Sequence, residues 1–66
     1  MNFDKKWFEE NFGERLKRGE RIKLRISFEG QEKISMLKEI RDMGITLDTH
    51  DSIIYNLIDG VKEVKE

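Results

Sequence analysis

The chain lacks cysteine and proline and has a single histidine. Without cysteine there are no disulfides and no cysteine-ligated metal sites, and one histidine excludes a histidine cluster. No apolar run is long enough to span a membrane, and the N-terminus lacks the apolar stretch of a signal peptide. We therefore expect a cytoplasmic protein with no metal, no cofactor and no membrane contact.

A large core is also excluded by size. A chain of 66 residues buries only ~60% of the surface that its unfolded form exposes, so a core of its own is marginal. Because disulfides and metals are excluded, self-association is the remaining common way to enlarge the core. We expect a homodimer.

Charge is abundant but unevenly distributed. Charged residues make up 41% of the chain, and the formal net charge is −1. Between Arg15 and Arg25, six basic residues accompany a single acidic residue, Glu20. A cationic stretch of this kind favours an anionic partner, usually a nucleic acid. The alternative is an ordinary solvated charged surface.

Strict alternation over residues 21–28 predicts a β-strand. Its apolar positions are Ile22, Leu24, Ile26 and Phe28. Side chains alternate between the two faces of a strand, so one face is apolar and the other polar. The polar face carries Arg21, Lys23, Arg25 and Ser27. Since no second convincing strand follows, we expect this strand to pair with another copy of the chain.

Three helices are predicted around this strand, at residues 3–18, 31–43 and 50–64. Asn2 and Thr49 are suitable N-caps, and Gly19 and Gly44 stand where helices often end. The apolar residues of the first helix spread over more than half of its circumference, which favours contact with a partner as well as with its own domain. The alternative is that they form an ordinary part of the core. They are Phe3, Trp7, Phe8, Phe12 and Leu16.

The order strand, helix, turn, helix over about residues 20–64 resembles the ribbon-helix-helix family of DNA-binding regulators. The residues that carry this resemblance are Lys23 to Ser27, Ile34, Leu37, Gly44, the run Thr49 to Ile54, Leu57 and Ile58. The resemblance implies a mostly α-helical α+β fold, in which two copies intertwine through a two-stranded antiparallel ribbon. Residues 20–66 would form that domain, and residues 1–19 a helical extension.

The resemblance also implies a function, that of a dimeric, repressor-like transcriptional regulator that reads double-stranded DNA. The ribbon would read base edges in the major groove through Arg21, Lys23, Arg25 and Ser27. The start of the last helix would hold a phosphate through Thr49, His50, Asp51 and Ser52. The alternative for the cationic strand face is protection of an exposed sheet edge against aggregation.

No pairing of a nucleophile with a base is visible, and the glycines do not form a phosphate loop, so we expect a non-enzyme. The second candidate function is a small protein-binding inhibitor or antitoxin-like module that grips its target with the aromatic N-terminal helix. A regulator should bind a short duplex with steep salt dependence. An inhibitor should ignore DNA and co-purify with a protein.

Overall fold

The structure, a computed structural model, describes residues 2–65. One helical segment precedes five strands in an antiparallel sheet of order β4-β3-β2-β1-β5. The helical segment, α1, consists of Lys5–Phe8, a π-helical turn Glu9–Gly13 and Glu14–Lys17. The strands are β1 (Lys23–Phe28), β2 (Gln31–Ile40), β3 (Gly44–Leu47), β4 (Ser52–Ile54) and β5 (Ile58–Glu63), with a 3-10 turn at Tyr55–Leu57.

The N-terminal helix predicted for residues 3–18 is present but begins two residues later. Its N-cap is Asp4 rather than Asn2, because the Asp4 carboxylate accepts a hydrogen bond from the Trp7 N–H at 2.9 Å. That bond satisfies one of the free amides of the first turn. At the other end, Gly19 has a φ of 79° and the chain turns away from the helix.

The predicted strand is present as β1, but its predicted partner is wrong. Glu29 and Gly30 have φ values of 49° and 75° and form a tight two-residue turn that returns the chain as β2. Strand β5 pairs with the opposite edge of β1. Both hydrogen-bonding edges of β1 are therefore occupied by its own chain, and no edge is left for an intermolecular ribbon.

The helix predicted for residues 31–43 is wrong, because this segment forms the long strand β2. Its first half pairs with β1, where Met36 faces Lys23, and its second half pairs with β3, where Leu37 faces Leu47. The register shifts between Leu37 and Glu39. Such an irregularity bends a strand, and here it lets one strand serve both halves of the sheet.

The helix predicted for residues 50–64 is also wrong. The segment forms β4, the 3-10 turn and β5, and it places Ile53 and Ile58 in the core. The mostly α-helical ribbon-helix-helix fold is thereby overturned. The molecule is mostly β, with one helix and a five-stranded antiparallel sheet.

The helix and every strand contribute to a single core. Its members are Phe8, Phe12, Ile22, Leu24, Ile26, Leu37, Ile45, Leu47, Ile53 and Ile58. The segments 1–19 and 20–66, expected to be an extension and a domain, thus share one apolar cluster, because Phe8 and Phe12 of α1 pack among the strand residues.

We predict that Phe8→Ala destabilises the protein by about 3–5 kcal/mol, because truncating a buried aromatic loses its packing and leaves a cavity. Phe8 is 0% exposed. Denaturant unfolding followed by circular dichroism measures the change. Lys17→Ala is the control on the same helix, since Lys17 is exposed and its truncation should shift stability by no more than about 0.5 kcal/mol. An unchanged midpoint for Phe8→Ala would mean that α1 does not support the sheet.

Candidate functional site

Four cations lie on or next to the outer side of β1 and β5, and a fifth, Lys65, follows the end of β5. Arg25 and Lys62 face each other across the two strands, and the Val64 N–H donates to the Lys23 carbonyl at 2.9 Å, which continues the pairing past β5. Arg21, Lys23 and Lys65 line a hollow at this end of the sheet, next to the ion pair of Arg15 with Glu63. We call this surface the basic face: Arg21, Lys23, Arg25, Lys62 and Lys65.

The basic face keeps its charges available for a ligand. Among residues 2–65, no member of the face has an ion-pair partner within 4.0 Å. Arg21, Arg25, Lys62 and Lys65 are exposed, and Lys23 is half-buried. Like charges held side by side on a rigid sheet raise the local potential and attract an anion.

Other cations of the same basic stretch are structural instead. The Arg15 guanidinium donates to both carboxylate oxygens of Glu63, at 2.8 and 2.7 Å, and to Glu20 at 3.0 Å. These hydrogen bonds, first those to Glu63, raise the pKa of Arg15, and they lower the pKa of Glu63. Arg18 and then Arg15 lower the pKa of Glu20 through hydrogen bonds. The network fastens α1 to the end of β5 and leaves little of these charges for a ligand.

Of the predicted base-reading residues, Lys23, Arg25 and Ser27 share one face of β1 as the alternation predicts, and Arg21 lies just before the strand. Lys62 belongs to the same surface but was not among the predicted site residues, because residues 50–64 were predicted to form a helix. Its place beside Arg25 depends on the pairing of β1 with β5. No local signal indicates that pairing.

Of the predicted phosphate-binding residues, Thr49, His50 and Asp51 lie between β3 and β4, and Ser52 is the first residue of β4, so no helix begins here. The helix amides on which that prediction rested are therefore not there. Asp51 pairs with Lys33 at 2.6 Å and accepts a hydrogen bond from the Thr49 hydroxyl at 2.7 Å. These contacts, Lys33 first, lower the pKa of Asp51. Asp51 thus fastens the turn to β2.

The aromatic residues of α1, predicted to contact a partner, pack against their own domain. Phe8 and Phe12 are buried, and Phe3, Trp7 and Leu16 pack against the core while partly exposed. The Trp7 ring meets the rings of Phe3, Phe8 and Phe12 edge-on, at centroid distances of 4.8, 5.1 and 5.8 Å. These geometries are favourable for aromatic pairs.

Within the described part of the chain, no three His, Cys, Asp or Glu side chains come together as a metal site. No helix between residues 2 and 65 is long and apolar enough to cross a membrane. No family model, curated protein or solved structure matches the chain. A function can therefore be inferred only from the geometry and the charges of the described residues.

We predict that Glu63→Gln lowers the melting temperature at neutral pH and has progressively less effect in acid. The pKa of Glu63 is lowered in the folded protein. Its stabilising contribution is therefore complete above the ordinary value of 4.5 and is lost as the pH falls through the lower, folded value. Thermal unfolding between roughly pH 3 and pH 7 tests this. Glu10→Gln, on the exposed side of α1, is the control. A constant difference across the range would contradict the Arg15–Glu63 pairing.

Proposed function

We propose that the protein binds single-stranded RNA and that its basic face contacts the phosphate backbone. The observation that carries this proposal is the set of unpaired cations on the outer side of β1 and β5, with Arg25 and Lys62 side by side. Lysine and arginine supply most of the affinity for nucleic acids by neutralising phosphates. A cytoplasmic location belongs to the same proposal.

The shape of the sheet favours a single strand over a duplex. The major groove, ~12 Å wide, admits a helix or a two-stranded ribbon. Here β1 is flanked on both sides by β2 and β5, and three strands at ~4.8 Å spacing occupy about 14 Å. A flexible single strand can follow the sheet surface instead, with phosphates on the cations and bases against apolar side chains. Ile34 of β2 is one such apolar side chain, because it is 49% exposed and lies opposite Arg25 of β1.

The two functions expected from the sequence have less support. A duplex-reading regulator would need the intermolecular ribbon, which the pairing of β1 with β2 and β5 precludes. A protein-binding inhibitor would need a free aromatic face on α1, and Phe8 and Phe12 lie in the core.

We predict that the double variant Arg25→Ala, Lys62→Ala binds single-stranded RNA more weakly and with a shallower salt dependence. Each lost phosphate contact should reduce the slope of log affinity against log salt by about 0.7 for a single strand, or about 1.4 for both. Fluorescence anisotropy with a labelled RNA oligomer, a DNA oligomer of the same sequence and a DNA duplex measures binding at several salt concentrations.

The double variant Lys6→Ala, Lys38→Ala is the matched control, because it removes two exposed lysines outside the basic face. It should bind like the unmodified chain. Equal losses in both double variants would mean that only net charge matters. Binding to the duplex alone would favour the regulator, and binding to none of the three would exclude a nucleic-acid function.

We further propose that copies associate through the two open strand edges. Strands β4 and β5 end the sheet, and each has one edge without a partner strand in the described chain. Large apolar side chains lie exposed near β4: Met43, Ile54 and Leu57. Pairing of β4 with β5 of the next copy is a head-to-tail contact, and such contacts close into rings or extend as filaments. Repeated basic faces would then bind one RNA strand at several points.

We predict an oligomer in solution that Ile54→Lys dissociates without unfolding. A charge on an edge strand opposes pairing with another chain, and Ile54 is 46% exposed, so its replacement should cost little within the monomer. Ile34→Lys is the control, since Ile34 is 49% exposed but lies on the internal strand β2. Sedimentation velocity gives the mass. A monomeric parent protein at all concentrations would exclude the assembly.

A further inference from the structure

A second feature lies beside the basic face, where Phe3, in the segment before α1, lies next to β5. A hollow of about 340 Å³ opens there, at the lower end of the size range of small-molecule sites. Its lining includes Phe3, Arg25, Ser27, Glu32, Gly60 and Lys62. We call it the Phe3 hollow.

One wall of the Phe3 hollow is a fixed aromatic ring. Phe3 meets Trp7 edge-on with a centroid distance of 4.8 Å, which holds the ring in place. The floor is bare backbone at Gly60, which faces Ser27 across the strands. A Cβ placed on Gly60 would meet only the Ser27 side chain, at 3.9 Å, so the space above the glycine is open. A flat ring can therefore enter beside Phe3.

The Phe3 hollow has one acidic side chain, Glu32, and two basic side chains, Arg25 and Lys62. Glu32 is exposed and accepts the Ser27 hydroxyl at 3.5 Å, a long hydrogen bond that leaves most of its acceptor capacity unused. Arg25 and Lys62 face each other two residues further along β1 and β5 than Ser27 and Gly60. A ligand that fits would combine an aromatic ring, adjacent N–H donors for the carboxylate, and a phosphate for the cations.

We infer that the Phe3 hollow binds a guanine nucleotide of single-stranded RNA, and this inference rests on the proposed function. Bases of single strands are recognised by stacking on aromatic rings and by hydrogen bonds to their Watson–Crick edges. On that edge guanine presents two neighbouring donors, the N1–H and the 2-amino group, which a carboxylate accepts with both oxygens. Adenine presents a ring acceptor beside its amino group, so its edge opposes the Glu32 carboxylate.

The test measures base preference directly. Fluorescence anisotropy compares labelled hexauridine with the same oligomer carrying one central guanosine or one central adenosine. The guanosine oligomer should bind about tenfold more tightly than the adenosine oligomer, as expected for one well-formed bidentate contact. Trp7 emission should change on binding, because its partner Phe3 would carry the base. Equal affinities for all three oligomers would overturn the inference.

Glu32→Gln is the principal variant, because an exposed side chain can change here without unfolding the protein. A glutamine amide offers one donor and one acceptor, a pattern that suits adenine, so the preference for guanosine should disappear. Glu39→Gln, also exposed on β2, is the control and should keep it. A guanosine preference that survives Glu32→Gln would overturn the assignment of Glu32.

Gly60→Val gives a second, independent variant. Its Cβ fits beside Ser27, and its methyl groups would fill the floor of the hollow. Guanosine-specific binding should fall about tenfold, a typical loss for one stacked base, while binding to hexauridine stays within a factor of about two. The results also distinguish a wrong inference about the Phe3 hollow from a wrong proposed function. If only the inference is wrong, all oligomers bind equally and their binding depends on Arg25 and Lys62. In the second none binds.

Discussion

The pairing of β1 on both of its edges is the constraint from which the rest of the structure follows. Arg25 faces Ile34 on one side and Lys62 on the other, so a single strand joins segments from the middle and the end of the chain. A central strand must have its apolar face covered, and Leu24 and Ile26 are 0% exposed in the core that α1 completes. The opposite face stays in solvent and carries Lys23 and Arg25. One alternating stretch thus fixes both the core and the basic face.

Features that depend on local sequence could be predicted, and those that depend on pairing could not. The alternation of β1 and the capping signals of α1 are local, and both elements are present. Strand β2 was instead predicted to be a helix. Its residues opposite Leu24 and Ile26 are Ser35 and Lys33, both polar, so the apolar alternation expected of a half-buried strand is missing. The helical spacing of its apolar residues therefore dominated the sequence interpretation.

The helix prediction for residues 50–64 was wrong for a different reason. Apolar residues from two short strands and a 3-10 turn happen to fall on one side of a helical wheel. Nearly all of them are β-branched (Ile53, Ile54, Ile58, Val61 and Val64), which is a strand signal.

Two glycines are required by the sheet and not by helix ends. Gly30 completes a two-residue hairpin turn with positive φ. Gly44 lies so close to the Ile53 backbone that a Cβ would collide with it. Lys62 could be found as a site residue only after β5 was paired with β1.

The acidic residues explain how a chain of net charge −1 can present a basic face. Three carboxylates fasten separate segments: Asp42 holds Lys5, Asp51 holds Lys33, and Glu63 holds Arg15. In each pair the acid neutralises a cation within the fold, whereas the cations of β1 and β5 have no such partner in the described residues. Screening limits the field of surface charges to about 8–10 Å at physiological salt. A polyanion near the molecule therefore responds to the local charge and not to the net charge, so the basic face can orient a ligand that the whole molecule does not attract.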